Sequence, residues 1–271
     1  MNTFFTITQV MMSVMTAVWH TMPDNVATIL FCIGLFICGA LASFVNMLSG
    51  GGSMIVLGFM MLLGVDPVVA NATNRVGVLA GTGFGAAAFK SEKYTDLKES
   101  LKLGLWSVPG AVAGAFFSVS ISGDIYENIL AVVMILIVIS MFFPKRTEDT
   151  SKSAGGSRWT WPAMFVVGFY GGVVQVGVGI LIYATLRHLG NLSLMRINMH
   201  RVFIVLIFII PSMIVFIWSG KINWTYAAAL CSGNALGAWL TVKWTLTKGE
   251  KVIRLGLVVS VILMSVKFLI F

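Results

Sequence analysis

Two apolar stretches of this chain are each interrupted by glycines, and each interruption is followed by an arginine inside the next apolar stretch. The first copy runs Ser49-Gly50-Gly51-Gly52-Ser53 and then Asn71-Ala72-Thr73-Asn74-Arg75. The second runs Gln175-Val176-Gly177-Val178-Gly179 and then Asn198-Met199-His200-Arg201. Gly177 follows Gly51 by 126 residues, and Arg201 follows Arg75 by the same 126. A helix broken inside an apolar run exposes backbone N–H and C=O groups that hydrocarbon cannot satisfy. The breaks must therefore be buried in protein or line a watery cavity. Paired breaks at matching places in two halves point to the substrate site of a transporter.

Composition places that motif in a bilayer. Hydrophobic residues make up 58% of the chain and charged residues only 10%, with a mean hydropathy of +0.95. A soluble domain usually carries about a quarter charged residues. At about 20 residues per span, the 271 residues accommodate roughly eight to ten crossings. The net charge of +8 is not a nucleic-acid signal, because the basic residues sit in short loops and at helix ends. No cleavable signal peptide is evident, since the N-terminus lacks a basic region. Cys32, Cys38 and Cys231 all lie inside apolar segments without CxxC spacing, and read as small buried helix residues.

The chain divides into an N-terminal segment (1–22), a first repeat (23–143), a linker (144–158) and a second repeat (159–271). The N-terminal segment is moderately apolar and reads as an interfacial or additional helix. In the first repeat, Val26–Leu48 is long enough to span, whereas Ser53–Leu63 covers only about 16 Å at about 1.5 Å per residue. Gly64-Val65-Asp66-Pro67 is a turn that opens a new helix. Val68–Phe89, Leu101–Ser120 and Ile125–Phe143 are full spans. The second repeat follows the same order with Trp161–Val176, the short Ile180–Leu189, Asn198–Trp218, Ile222–Thr245 and Val252–Phe271. Gly110 and Gly114, like Gly233 and Gly237, offer small-xxx-small surfaces for close helix contact.

Five segments per half would invert the second repeat relative to the first. Loop charges agree with that arrangement. One face receives Lys90, Lys93, Lys98, Lys145, Arg146, Lys152, Arg158, Arg187, Arg196, Lys248 and Lys251, and the other Asp24, Asp66, Asp124 and Glu127. Lys221 is the main basic exception. The positive-inside rule puts the linker in the cytoplasm. The expected fold is thus an all-α polytopic membrane protein, multi-pass in the inner cell membrane, made of two inverted repeats with broken or re-entrant helices.

Arg75 lies nine residues beyond Asp66, or about 13 Å along a helix, which is near mid-membrane. A charge there costs about 2.5–3.5 kcal/mol on insertion scales and implies a function or a buried partner. No Asp or Glu lies deep in any span. Guanidinium suits an oxyanion because its planar fork matches two oxygens at once. The structural alternative is that each arginine hydrogen-bonds free carbonyls of the broken helices or reaches a water-filled vestibule. Helices restarting after the glycines aim unpaired N–H groups and a positive dipole end at the same region. The expected substrate-binding set is Gly50, Gly51, Gly52, Ser53, Asn71, Thr73, Asn74 and Arg75, with Gln175, Gly177, Gly179, Asn198, His200 and Arg201. His200 is the best local candidate for a proton carrier, although a lone intramembrane histidine is more often simply hydrogen-bonded.

These residues resemble the TauE/SafE family of sulfite-exporter-like anion permeases. The matching pieces are Gly50-Gly51-Gly52-Ser53-Met54-Ile55-Val56, Leu62-Leu63-Gly64-Val65-Asp66-Pro67-Val68-Val69-Ala70-Asn71-Ala72-Thr73-Asn74, Gly168 through Gly179, Leu189-Gly190 and the cluster ending at Arg201. The resemblance covers nearly the whole chain from about Val26. It implies a permease for small sulfur or carbon oxyanions: sulfite, thiosulfate, sulfonates such as sulfoacetate, or related organic acids.

The reading is of a secondary carrier for a small anion. A passive anion channel or a carrier of small carboxylates are the alternatives. A membrane-embedded enzyme would need a nucleophile–base pair or metal-ligand spacing, and the chain has no HExxH and no GxSxG. No cofactor or metal is implied. The expected partners are the anion and membrane lipids, not nucleic acid, with homo-oligomerisation left open.

Overall fold

The computed structural model describes residues 24–48, 50–93, 96–126, 128, 129, 132, 158–190 and 192–248. Among them, all regular structure is helical. The expected N-terminal segment, the linker up to residue 157, the span Val252–Phe271 and most of the span Ile125–Phe143 lie outside the described residues.

Eight helices are used below: α1 (Asp24–Leu48), α2 (Ser53–Leu62), α3 (Pro67–Ser91), α4 (Leu97–Ser120), α5 (Thr160–Val173), α6 (Val178–Gly190), α7 (Leu194–Trp218) and α8 (Trp224–Lys248). Their starts follow from local chemistry. Asp66 Oδ1 accepts from the N–H groups of Val68 and Val69 at 2.9 and 3.0 Å, and Pro67 fills the first helical position of α3. Gly64, at φ +80, makes the turn before it. Asp96 caps α4 through the Glu99 N–H, so α4 begins at Leu97, four residues ahead of the expected Leu101. Ser193 likewise caps α7, which starts at Leu194 and not at Asn198.

α1, α4 and α7 contain windows long and apolar enough to cross a membrane. α3 and α8 are 25 residues each, but their glycines and polar residues lower their hydropathy. Large apolar side chains point outward, among them Ile29, Leu41, Trp106, Phe116, Ile214 and Leu240. On a soluble protein such a surface would aggregate; against lipid it is the expected finish.

Packing repeats between the halves. α1 packs on α8, and α5 on α4. α3 packs on α8, and α7 on α4, while α3 and α7 meet each other. Exchanging α1–α4 for α5–α8 leaves this scheme unchanged. Glycines set the closest crossings. A Cβ on Gly110 or Gly114 would fall on the Phe165 or Phe169 carbonyl of α5. A Cβ on Gly233 or Gly237 would fall on the Phe36 or Ala40 carbonyl of α1. The corresponding helices α3 and α7 run antiparallel: Arg75 sits over the Phe216 ring at 4.3 Å, whereas Gly85, ten residues on, faces Val202.

The second break differs from expectation. α5 ends at Val173, and the non-helical stretch is Val174–Gly177. Gly177, at φ +72, turns the chain into α6. Gly179 lies in the first turn of that helix, not in the break. It is glycine because the other half of the chain presses against it there.

Candidate functional site

The two breaks meet. A Cβ on Gly179 would lie 2.5 Å from the Gly50 Cα, and one on Gly50 would collide with the Gly179 Cα. Backbone therefore touches backbone where the halves cross. Around this contact lies a cavity with about 390 Å³ of atom-free space, its open mouth included. Its polar lining is Ser43 and Asn46 of α1, Thr82 of α3, Gln175, Arg201 of α7 and Asn234 of α8. Among the described residues, no carboxylate lines it and Arg201 is its one charged side chain.

Arg201 is held from behind. Its Nη2 donates to the Met47 carbonyl at 2.7 Å and to Asn198 Oδ1. Both of its hydrogen bonds among the described residues use Nη2, which leaves Nη1 beside the glycine crossing. Nη1 lies 2.6 Å from where a Gly50 Cβ would stand and 2.8 Å from where a Gly179 Cβ would stand. Only glycine at both positions leaves that nitrogen room. Met47 stands in the last turn of α1, so the guanidinium sits at the negative end of a helix from the other half.

Arg75 makes the corresponding cross-repeat contact. Its Nη2 donates to the Gly172 carbonyl in the last turn of α5 at 2.5 Å, and its Nη1 to Gln175 Oε1 at 3.3 Å. It is fully buried beneath the Phe216 ring and does not line the cavity. Neither arginine pairs with a carboxylate among the described residues. Each charge is instead accommodated by the free carbonyls of a broken helix, the structural alternative weighed from the sequence, and Arg201 in addition faces open space.

The remaining expected residues divide by position. Gly50, Gln175 and Gly179 line the cavity with Arg201. Gly51 is buried in the break, and Gly177 shapes the second break through its backbone. Gly52 donates its N–H to Asn46 Oδ1 at 2.7 Å, and Ser53 Oγ faces Asn46 Nδ2 at 3.4 Å. Asn71 braces the other break, donating to the Val173 carbonyl and accepting from the Gln175 N–H. Asn198 stands behind Arg201. Thr73 Oγ1 accepts from the Asn223 N–H at the start of α8, and Asn74 Nδ2 is buried without a partner among the described residues. His200 turns away from the cavity, its Nδ1 2.8 Å from Ser100 Oγ on α4.

Four polar lining residues escaped the sequence reading: Ser43, Asn46, Thr82 and Asn234. Asn46 had a signal, standing six residues before Gly52 where it can cap the restarting helix. Asn234 had none, but in the structure three glycines make room for it. Cβ atoms on Gly39 and Gly77 would lie 3.1 and 2.8 Å from its Nδ2, and one on Gly81 3.4 Å from its Oδ1. Ser43 Oγ is buried at the cavity wall with no hydrogen-bond partner among the described residues.

The cavity occupies one end of the α3–α7 pair. Its α3 residues, Val78, Gly81 and Thr82, come from the middle and C-terminal half of that helix. Its α7 residues, Arg201, Val202 and Val205, come from the N-terminal half. That is the end that carries Lys90 and Arg196.

Comparison with known proteins gives consistent matches. The family model described as sulfite exporter TauE/SafE matches residues 35–268. A probable membrane transporter protein, ORF9, of a Sinorhizobium species is 26% identical over 87% of this chain and 91% of its own. A probable membrane transporter protein of Haemophilus influenzae is 24% identical over 90% and 94%. The probable membrane transporter protein YfcA of Escherichia coli is 27% identical over 87% and 88%. No solved structure matches the chain.

Proposed function

Starting from the fact that the chain belongs to the sulfite exporter TauE/SafE family of membrane transporters, we propose that it is a secondary carrier for a small anion, a sulfur oxyanion or organosulfonate such as sulfite, thiosulfate or sulfoacetate. The observation that carries this reading is Arg201, whose guanidinium lines the cavity without a carboxylate beside it among the described residues. In a low-dielectric site, a guanidinium held only by neutral acceptors selects for an anion.

The rest of the lining suits an oxyanion. Ser43 Oγ, with no partner among the described residues, and the amides of Asn46 and Gln175 supply neutral donors. α2 and α6 both begin at the crossing, so the positive ends of two helix dipoles lie there. The membrane-transporter relatives support a cargo that is moved and not transformed.

Alternating access follows from the same geometry. The antiparallel course of α3 and α7 and the exchange-invariant packing support two inverted repeats, as the loop charges do. The protein is then multi-pass in the inner cell membrane, with the cavity on the cytoplasmic half. Rocking one set of helices about the Gly50–Gly179 crossing would close that half and open the other.

A ligand screen on the purified protein tests this reading. Sulfite, thiosulfate, sulfoacetate, sulfate and small carboxylates are compared by thermal shift. Stabilisation by the sulfur oxyanions is expected. Stabilisation by carboxylates alone would reassign the cargo, and silence across the panel would remove the anion site.

A further inference from the structure

We propose that the two buried arginines divide the work: Arg201 meets the anion, and Arg75 is a positioning residue that holds the Gln175 amide with its NH2 group toward the cavity. This rests on reading the Arg201 cavity as the anion site.

An arginine side chain only donates hydrogen bonds, so it can bind the Gln175 amide only through the oxygen. Arg75 Nη1 lies 3.3 Å from Gln175 Oε1. That chemistry fixes which way round the amide stands, a choice otherwise left to the hydrogen-bond network. The remaining end of the amide is NH2, with two donors and no acceptor, and Gln175 lines the cavity. The backbone beneath is pinned as well, because the Gln175 N–H donates to Asn71 Oδ1 at 3.3 Å. Arg75 itself cannot reach the cargo without surrendering the Gly172 carbonyl and its place under Phe216.

The pseudo-symmetry explains why the two arginines differ. At the 126-residue offset, the counterpart of Gln175 is Ser49, which has no amide to orient. Arg201 binds Asn198 on its own helix instead, and its free end reaches the cavity directly. Without Arg75, the Gln175 amide could flip and set a carbonyl oxygen against the anion.

Gln175→Glu is the sharpest test, since it keeps the oxygen that Arg75 binds and replaces the donor with a second anionic oxygen. Sulfite, thiosulfate and sulfoacetate are titrated into the purified full chain by calorimetry, with thermal unfolding measured in parallel. Gln175→Glu is expected to keep or raise the melting temperature while losing at least tenfold in affinity. Arg75→Gln is expected to weaken binding in the wild-type background and to have no further effect on affinity in a Gln175→Met background, the coupling that a double-mutant cycle isolates. A merely structural Arg75 would weaken both backgrounds equally, and that result would overturn the proposal. So would wild-type affinity in Gln175→Glu, which decides alone if Arg75→Gln does not fold. If the wild type binds none of the three anions, or Arg201→Gln binds like wild type, the anion-site reading fails and this inference falls with it.

Discussion

Gly50 and Gly179, one from each half of the chain, touch backbone to backbone beside the Arg201 guanidinium. Gly50 also holds φ at +83, a conformation that side chains disfavour. Alanine at Gly179 would push on both the Gly50 Cα and Arg201 Nη1. Overpacking of this kind costs about 1–3 kcal/mol where neighbours can shift. Gly179→Ala is expected to lower the melting temperature and to abolish anion uptake into proteoliposomes. Wild-type uptake would mean that the crossing is slack.

The glycine crossings between the halves give a second prediction. A side chain on Gly114 would fall on the Phe169 carbonyl, and one on Gly237 on the Ala40 carbonyl. Gly114→Val and Gly237→Val, at α4–α5 and α8–α1, are expected to destabilise the protein by similar amounts, about 1–3 kcal/mol or more. Thermal unfolding in detergent measures this. A loss confined to one of them would contradict equivalent packing of the halves.

Much of this arrangement was legible in the sequence, and the misses have physical causes. The 126-residue offset located both breaks, and the short second segment was expected at Ser53–Leu63 against the observed Ser53–Leu62. Asp66-Pro67 announced the start of α3 because cap and proline chemistry is local. The facing of side chains was less legible. Residues three or four apart share a helix face and adjacent ones do not. Asn198 and Arg201 therefore stand together, while His200 points to Ser100. Asn71 and Arg75 share a face for the same reason, and both serve the second break. Ser43, Thr82 and Asn234 were missed because a neutral polar residue in an apolar helix does not declare whether it faces a cavity or its own backbone.

His200 yields a third prediction. Its ring nitrogen is bonded to Ser100 Oγ, away from the cavity. His200→Gln is expected to leave sulfite affinity and the pH profile of transport unchanged, with a modest loss of stability from the broken α4–α7 contact. A flattened pH profile with binding intact would instead make His200 the proton carrier.

Arg201 carries the central claim. Arg201→Gln is expected to weaken anion binding by at least tenfold, about 1.4 kcal/mol. Arg201→Lys should rescue only part of this, because it keeps the charge but loses the planar fork.

The most direct measurement is labelled-sulfite counterflow in proteoliposomes, comparing wild type with Arg201→Gln. Saturable flux, stimulated by unlabelled sulfite on the opposite side and lost in Arg201→Gln, is the predicted result. Flux that rises linearly with concentration without trans-stimulation, or counterflow that survives in Arg201→Gln, would contradict a carrier built around this arginine.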